Sequence, residues 1–380
     1  MSEILARIAP GVASLDAAAW DACAGPDNPF LSHAFLSALE ESGSATARTG
    51  WQPVPVAIDG ADGAPAAVMP AYVKSHSQGE YVFDHAWADA WERAGGSYYP
   101  KLQIAVPFTP VPGRRLLARD PALAPGLIRA AEAIVEQNGF SSAHATFIAQ
   151  DEIALFEAAG WLIRADSQFH WHNDGYASFD DFLAALSSRK RKAIRKERAA
   201  ALEGLSVEHV TGAAITEAHW DAFWEFYQDT GARKWGRPYL TRAFFSLLGE
   251  RMADRVLLVF ARCDGVPIAG ALNLIGADTL YGRYWGTVAE VPHLHFEICY
   301  YQAIEAAIAR GLSRVEAGAQ GAHKLARGYR PVPTWSAHFL PDPSFRRAVA
   351  DYLERERAAV AGEIAALGQM TPFRKDGGGA

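Results

Sequence analysis

The chain carries the same unit twice. Asn28-Pro29-Phe30-Leu31-Ser32-His33-Ala34-Phe35 returns as Arg237-Pro238-Tyr239-Leu240-Thr241-Arg242-Ala243-Phe244. Each copy continues into two strand-like runs around an Asp-Gly turn: Val54 to Tyr72 around Asp62-Gly63, and Val256 to Leu274 around Asp264-Gly265. A helix and a strand follow, Leu127 to Ile148 in the first copy and Tyr300 to Ala319 in the second. A short helix ending in glycine closes each copy, at Gly160 and at Gly328. Four matched elements in one order predict two copies of one mixed α/β unit, with the function expected between them.

The length agrees. A chain of 380 residues exceeds one ordinary core and suits two domains of about 150–200 residues. The boundaries expected are 1–170 and 171–341, with 342–380 forming a C-terminal helix and a frayed tail. No apolar run reaches the roughly 20 residues of a membrane helix. Residues 1–10 lack a basic stretch followed by an apolar one, so no secretory signal is expected. Cys23, Cys263 and Cys299 are few and scattered, which points to a reducing compartment, and so to the cytoplasm, and to no metal site. A formal charge of −7 argues against a generally basic nucleic-acid coat.

Against that acidic background one segment stands out. The helix expected from Asp180 onward gathers Arg189, Lys190, Arg191, Lys192, Arg195, Lys196 and Arg198. Cations this dense repel one another and need solvent or an anionic partner. Two readings stay open: a solvated linker face, or a contact for an anionic substrate or RNA, with Arg189, Arg191 and Arg195 as the anion-binding candidates. Further along, Thr279 to Val288 reads as a strand, Phe296 to Arg310 as a helix with apolar residues at three- and four-residue spacing, Ser313 to Ala319 and Thr334 to Leu340 as strands, and Phe345 to Leu367 as a charged amphipathic helix.

Strand, hairpin, strand, helix, strand, short helix, strand is the order of the GNAT acyltransferase unit. Two such units, the second opened by a basic helical insertion, resemble the Fem-type peptidoglycan aminoacyltransferases. The chain is most similar to the FemAB-like N-acyltransferases, the group named for peptidoglycan biosynthesis or recognition. The resemblance runs from about Asn28 to Leu340. It is carried by Lys101-Leu102-Gln103-Ile104-Ala105-Val106-Pro107-Phe108-Thr109-Pro110, by His293-Leu294-His295-Phe296-Glu297-Ile298-Cys299-Tyr300-Tyr301 and by Glu316-Ala317-Gly318-Ala319-Gln320-Gly321-Ala322-His323-Lys324. It implies two tandem GNAT-like domains, each a mixed, mostly antiparallel sheet flanked by helices. It also implies a bacterial, cytoplasmic N-acyltransferase that joins an activated acyl or aminoacyl group to an amine, such as one on a cell-wall precursor. A non-catalytic binder of muropeptide or RNA and an acyl-CoA-dependent N-acetyltransferase are the alternatives.

One departure bears on the donor. GNAT enzymes cradle the CoA pyrophosphate in a Gln/Arg-x-x-Gly-x-Gly/Ala turn opening the central helix, where backbone N–H groups meet the phosphates. This chain has Pro292-His293-Leu294-His295 there in copy two, and Val111-Pro112-Gly113-Arg114-Arg115 in copy one. No tightly bound cofactor is therefore expected. Acyl-CoA or aminoacyl-tRNA remain as co-substrates, with tRNA reaching the basic helix.

In a GNAT unit the strands on either side of the central helix splay apart, and the acyl group enters the wedge. Tyr284-Trp285-Gly286 and Glu316-Ala317-Gly318-Ala319-Gln320 would line it, with Gly286 and Gly318 where a backbone or a ligand approaches closely. Amide formation needs a proton acceptor for the ammonium nucleophile. Glu316, Glu297 and His295 are the catalytic candidates, since a carboxylate in an apolar strand or at a helix start needs a partner or a task. Tyr284, Trp285, His293, Tyr300, Gln320, His323, Lys324, Arg327, Arg233 and Lys234 are the substrate-binding candidates, the last two from a basic-aromatic loop absent from copy one. No Gly-x-Ser-x-Gly, Walker or Cys-x-x-Cys pattern occurs.

Overall fold

The structure is a computed structural model and describes residues 5–234, 238–318 and 321–374, except for the side chains of 231–234 and 322. Gln320, Arg233, Lys234 and the glycine-rich tail therefore lie outside the described residues.

The repeat is physical. The helix His33–Glu41 starts where Ser32 Oγ accepts the Phe35 N–H at 3.2 Å. Its counterpart Arg242–Met252 starts where Thr241 Oγ1 accepts the Phe244 N–H at 3.3 Å. The same side-chain cap satisfies the same otherwise unpaired donor in both copies.

The chain forms two compact units. The first comprises Met1–Asp166, Tyr239–Phe244 and Pro333–Gly362; the second comprises Ser167–Pro238, Phe245–Val332 and Glu363–Ala380. The strands in chain order are β1 (Ala6–Ile8), β2 (Trp51–Pro53), β3 (Val56–Asp59), β4 (Pro65–Met69), β5 (Ala71–Lys74), β6 (Lys101–Ile104), β7 (Leu117–Ala118), β8 (Ala143–Ile148), β9 (Leu162–His172), β10 (Leu205–Thr211), β11 (Val256–Cys263), β12 (Val266–Ile275), β13 (Thr279–Thr287), β14 (Arg314–Glu316) and β15 (Arg330–Phe339). The first unit has a small sheet ordered β1-β3-β4-β7 and a run ordered β15-β8-β6-β5-β2, and the second has the run β10-β11-β12-β13-β14-β9. In each unit one parallel pair, β6 with β8 and β13 with β14, is joined through the central helix.

The expected domain boundaries need correction. β14 pairs with His170, Trp171 and His172 of β9, whereas β8 pairs with Trp335 to Phe339 of β15. The last strand of each sequence copy thus completes the other unit, so residues 333–341 belong with the first. Most of the C-terminal helix, Pro343–Gly368, does too, up to Gly362. In the first unit, Leu127, Ala131, Ile134 and Val135 of the helix Ala124–Asn138 bury one stripe against Leu102, Ile104, Ala143 and Ala145. In the second, Ile298, Tyr301, Ile304 and Ala307 pack with Leu257, Val259, Leu280 and Val315.

Three elements differ from expectation. The helix expected over 296–310 is interrupted by a wide π-type turn at Glu297–Tyr301 before it continues as Gln302–Ala309. The strand expected over 313–319 ends at Glu316, because β14 leaves β13 there. The basic segment is two helices, Phe179–Ala185 and Ser188–Ala201. At their break Ser187 N–H donates to the Pro372 carbonyl and Arg374 N–H to the Ala185 carbonyl, both at 3.0 Å, so the chain is docked as far as Arg374. Among the described residues no helix is long and apolar enough to cross a membrane.

Candidate functional site

The wedge is open in the second unit and filled in the first. β13 pairs with β14 only at residues 279–281 against 314–316. From Gly282 onward β13 stays bonded to β12 as far as Thr287, while β14 ends. A cavity of about 80 Å³ lies here, lined by Ala271, Leu272, Asn273, Gly282, Arg283, Tyr284, Trp285, His295, Cys299, Tyr300 and Ala317. In the first unit the chain after β6 turns back beside β8. Gly113 bridges to Ile148, and Gly113 N–H donates to the Phe147 carbonyl at 3.0 Å. Arg115, fully buried, fills the space and donates to the carbonyls of Val111 (2.7 Å), Gly113 (2.9 Å) and Thr146 (3.0 Å). Burial lowers its pKa to about 10. The Val111–Arg115 segment is thus an internal plug, with its guanidinium turned to the protein's own carbonyls.

Four predicted residues line the cavity: Tyr284, Trp285, His295 and Tyr300. The His295 ring centroid lies 5.2 Å from that of Trp285 and 5.3 Å from that of Tyr300. Tyr300 Oη is 3.0 Å from His323 Nε2. Arg327 stacks its guanidinium 3.4 Å from the Phe296 ring centroid and donates to Glu197 Oε2 at 2.9 Å and to the His323 carbonyl at 2.9 Å. His293 is exposed, in the left-handed region at φ 64°.

The two carboxylates are a correction: neither lines the cavity. Glu316 is 3% exposed, and Arg283 Nη2 donates to its Oε2 at 2.9 Å, with Arg314 and His170 near its other oxygen. Glu297 is fully buried on another face of its helix. Arg198 clamps it with two hydrogen bonds (2.9 and 3.0 Å), and Gln302 Nε2 donates to it at 2.7 Å. Each is paired with a guanidinium and satisfied by hydrogen bonds, the condition for burying a carboxylate.

Lys324 lies near the cavity without lining it. It is 1% exposed, and its Nζ donates to the Gly318 carbonyl at 2.9 Å, one residue beyond the cavity-lining Ala317. Burial and the positive field of Arg283 lower its pKa to about 7, against a smaller opposing influence of Cys299. Sequence reasoning missed Asn273, Arg283 and Cys299. A signal existed for the first, a lone amide in the apolar run from Ala269 to Ile275. Among the described residues no three His, Cys, Asp or Glu side chains are placed to hold a metal ion.

Of the two glycines expected at a close approach, Gly286 meets the expectation and Gly318 does not. A Cβ on Gly286 would lie 2.0 Å from the Phe226 carbonyl oxygen, so its bare face admits the backbone of the helix Glu217–Lys234. Gly318 has open space around it and is needed for its φ of 74°. Gly282 borders the cavity itself. Gly286→Ala should therefore destabilise the protein by about 1–3 kcal/mol or more, read as a lower urea midpoint; an unchanged midpoint would mean the helix shifts freely.

On the basic helix Arg189, Lys192, Arg195 and Lys196 are exposed. Arg195 meets Asp180 at 3.2 Å, and half-buried Arg191 reaches the Ala184 carbonyl at 3.5 Å.

The sequence matches the family model named FemAB-like, described as peptidoglycan biosynthesis/recognition, over residues 11–375. No curated protein matches it in sequence. Among solved structures it is similar to FemX, with TM-score 0.55 and 13% identity, covering 87% of this chain and 98% of that one. It is also similar to L-PGS from Bacillus licheniformis, with TM-score 0.50 and 10% identity, covering 92% and 98%. A conserved protein of unknown function from Bacteroides thetaiotaomicron has TM-score 0.55 and 13% identity, covering 88% and 100%. At these identities the likeness is one of fold.

Proposed function

This chain belongs to the FemAB-like family of peptidoglycan biosynthesis/recognition, and from that premise we propose that it is an N-acyltransferase whose reaction takes place in the cavity of the second unit. The observation that carries the reading is the contrast between the two wedges: one plugged by Arg115, one open and flanked by a lysine titrating near neutrality.

The roles follow from the geometry. The acyl group of the donor enters between β13 and the segment after β14, against Tyr284, Trp285 and Tyr300. The amine acceptor arrives as an ammonium. Lys324, neutral in much of its population near pH 7, takes the proton directly or through water, and the amine attacks the acyl carbonyl. The bond from the acyl carbon to the donor's oxygen or sulfur then breaks, the amine's second proton passes to that departing atom, and His295 and the Tyr300–His323 pair offer hydrogen bonds to it. Arg283, held by Glu316, supplies a fixed positive field for the developing oxyanion. A cell-wall precursor bearing a free amine is the acceptor class in keeping with the family. Incubating the protein with acyl-CoA or aminoacyl-tRNA and an amine-bearing muropeptide, and weighing the acceptor by mass spectrometry, tests this. Mass gain with neither donor across a panel of such acceptors would refute it and leave the binding reading, which the ion-paired state of Glu297 and Glu316 favours.

A polyanionic donor would lie along the basic helix. Arg189→Glu with Arg195→Glu should weaken tRNA binding, and should flatten the dependence of log K on log salt by about 1.5 to 2, as two lost phosphate contacts require. An unchanged slope in a titration from 50 to 200 mM salt would leave these cations as a solvated face.

A further inference from the structure

Asn273 is buried at 1% exposure between Leu272 and Leu274. Its Nδ2 donates to the Leu257 carbonyl at 3.2 Å, but its Oδ1 has no hydrogen-bond partner among the described residues. An acceptor left so costs about 1–3 kcal/mol and calls for an explanation. The register between β12 and β13 shifts between Leu272 and Asn273, the local irregularity that re-aims side chains beside functional sites. Asn273 stands opposite Gly282, and both border the cavity. A Cβ on Gly282 would lie 3.2 Å from Asn273 Oδ1 and 3.5 Å from the Glu316 carbonyl. The amide oxygen therefore lies beside a bare glycine at the border of the cavity.

The first copy provides an internal control. Aligning the two Asp-Gly turns sets Ala71 against Asn273, and Ala71 pairs with Ile104 as Asn273 pairs with Gly282. Both first-copy residues are buried and apolar. The unit with the plugged wedge has an apolar pair where the unit with the open wedge has an orphaned acceptor and a gap.

We propose that Asn273 is a specificity-determining residue whose side-chain oxygen, above Gly282, accepts a hydrogen bond from an N–H of the acyl donor bound in the cavity. The proposal rests on the acyl-transfer reading of that cavity and adds what the donor must carry. Among the described residues no carboxylate lines the cavity, and the oxygen reads an N–H. At about 80 Å³ the space is roughly half of the 150 Å³ or so that holds a benzene ring, so the group is short. Such an N–H comes either from the α-amino group of a small aminoacyl moiety or from the amide of a pantetheine arm.

Calorimetry on the full-length protein with three probes separates these: 3′-(L-alanylamido)-3′-deoxyadenosine, its propionyl counterpart lacking the amine, and coenzyme A. Each is titrated into the wild type, into Asn273→Leu, and into Gly282→Ala, which keeps the amide but places a methyl group 3.2 Å from its Oδ1. The expected result is an alanyl probe bound about tenfold more tightly than the propionyl one, with the preference lost in both variants. Coenzyme A affinity that falls about tenfold in both variants also supports the proposal and assigns the N–H to the pantetheine arm. Equal binding of the alanyl and propionyl probes, with coenzyme A unaffected by either substitution, overturns it. Failure of all three probes to bind the wild type overturns the donor-site reading as well.

Discussion

Replacing Lys324 with methionine should lower turnover by about 10²–10⁴-fold, the range associated with a positioned general acid or base, while leaving the protein folded. The stability half of this expectation follows from linkage. The folded-state pKa of Lys324 lies near 7, below the ordinary lysine value of about 10.4. The unfolded chain therefore binds more protons than the folded one between those values. The burden of burying the ammonium is full below pH 7 and is relieved as pH rises toward 10. Methionine, similar in length and never charged, removes that burden, so Lys324→Met should melt at or above the wild-type temperature at pH 6. The catalytic half has its own sign. A proton acceptor works when neutral, so wild-type kcat/KM should rise through an apparent pKa near 7 and level off above it, and the variant should lose that limb. Lys324→Arg, which stays protonated, should be as inactive as the methionine variant. Wild-type turnover in either variant, or a pH profile that falls where it should rise, would remove Lys324 from the reaction.

Much of the fold was legible because repetition is a global signal. The Ser32 and Thr241 caps, the two Asp-Gly turns and the two glycine-ended short helices recur at matched positions, and each is fixed by local chemistry that a sequence displays. The exchange of final strands was not legible. β9 and β15 have the same place in each copy, and their apolar patterns satisfy either sheet, so which partner each takes depends on the course of the whole chain rather than on spacing.

The site was legible in its apolar half. Tyr284, Trp285 and Tyr300 come together because topology alone brings the strand before the central helix to the start of that helix. The carboxylates misled for a definite reason. A glutamate in an apolar strand does need a partner, but Arg283 for Glu316 and Arg198 for Glu297 stand 33 and 99 positions away, where no local pattern announces an ion pair. Val111–Arg115 misled similarly: a Gly-Arg-Arg sequence suggests phosphate, and only the packed chain shows the guanidinium turned onto four carbonyls.

The largest stability effect is expected in the first unit, at Lys101→Met. Lys101 Nζ is fully buried and donates to Glu80 Oε2 (2.7 Å), Ser77 Oγ (2.8 Å) and Asp84 Oδ2. Tyr98 Oη donates to the same Asp84 oxygen at 2.7 Å. A second buried cation, Lys74, lies 3.8 Å from Glu80 Oε1 and 3.7 Å from the Trp51 ring centroid. His144 and His338, with Nδ1 atoms 2.7 Å apart, bring no charge: burial lowers His144 to about 3 and holds His338 well below its ordinary value. The network thus balances two lysines against two carboxylates. Without Lys101, two buried carboxylates face Lys74 alone, and breaking such a pair typically costs about 3–5 kcal/mol, a large part of the 5–15 kcal/mol that holds a domain. The pH dependence has a definite sign. Burial opposes the Asp84 charge, but Lys101 outweighs it and holds Asp84 well below the ordinary carboxylate range. That contribution is full above about pH 4 and lost as pH falls further. Glu80, raised to about 7 by burial, contributes most when protonated and loses that contribution as pH rises through 7. Removing Lys101 releases Asp84 upward and raises Glu80 further, so urea midpoints of wild type and variant should differ widely at pH 8 and draw together toward pH 5. Adding Asp84→Asn to Lys101→Met should recover much of the loss by leaving one lysine, Lys74, facing one carboxylate, Glu80. Equal midpoints at pH 8, or a double variant no better than the single one, would mean that the unit does not depend on this charge balance.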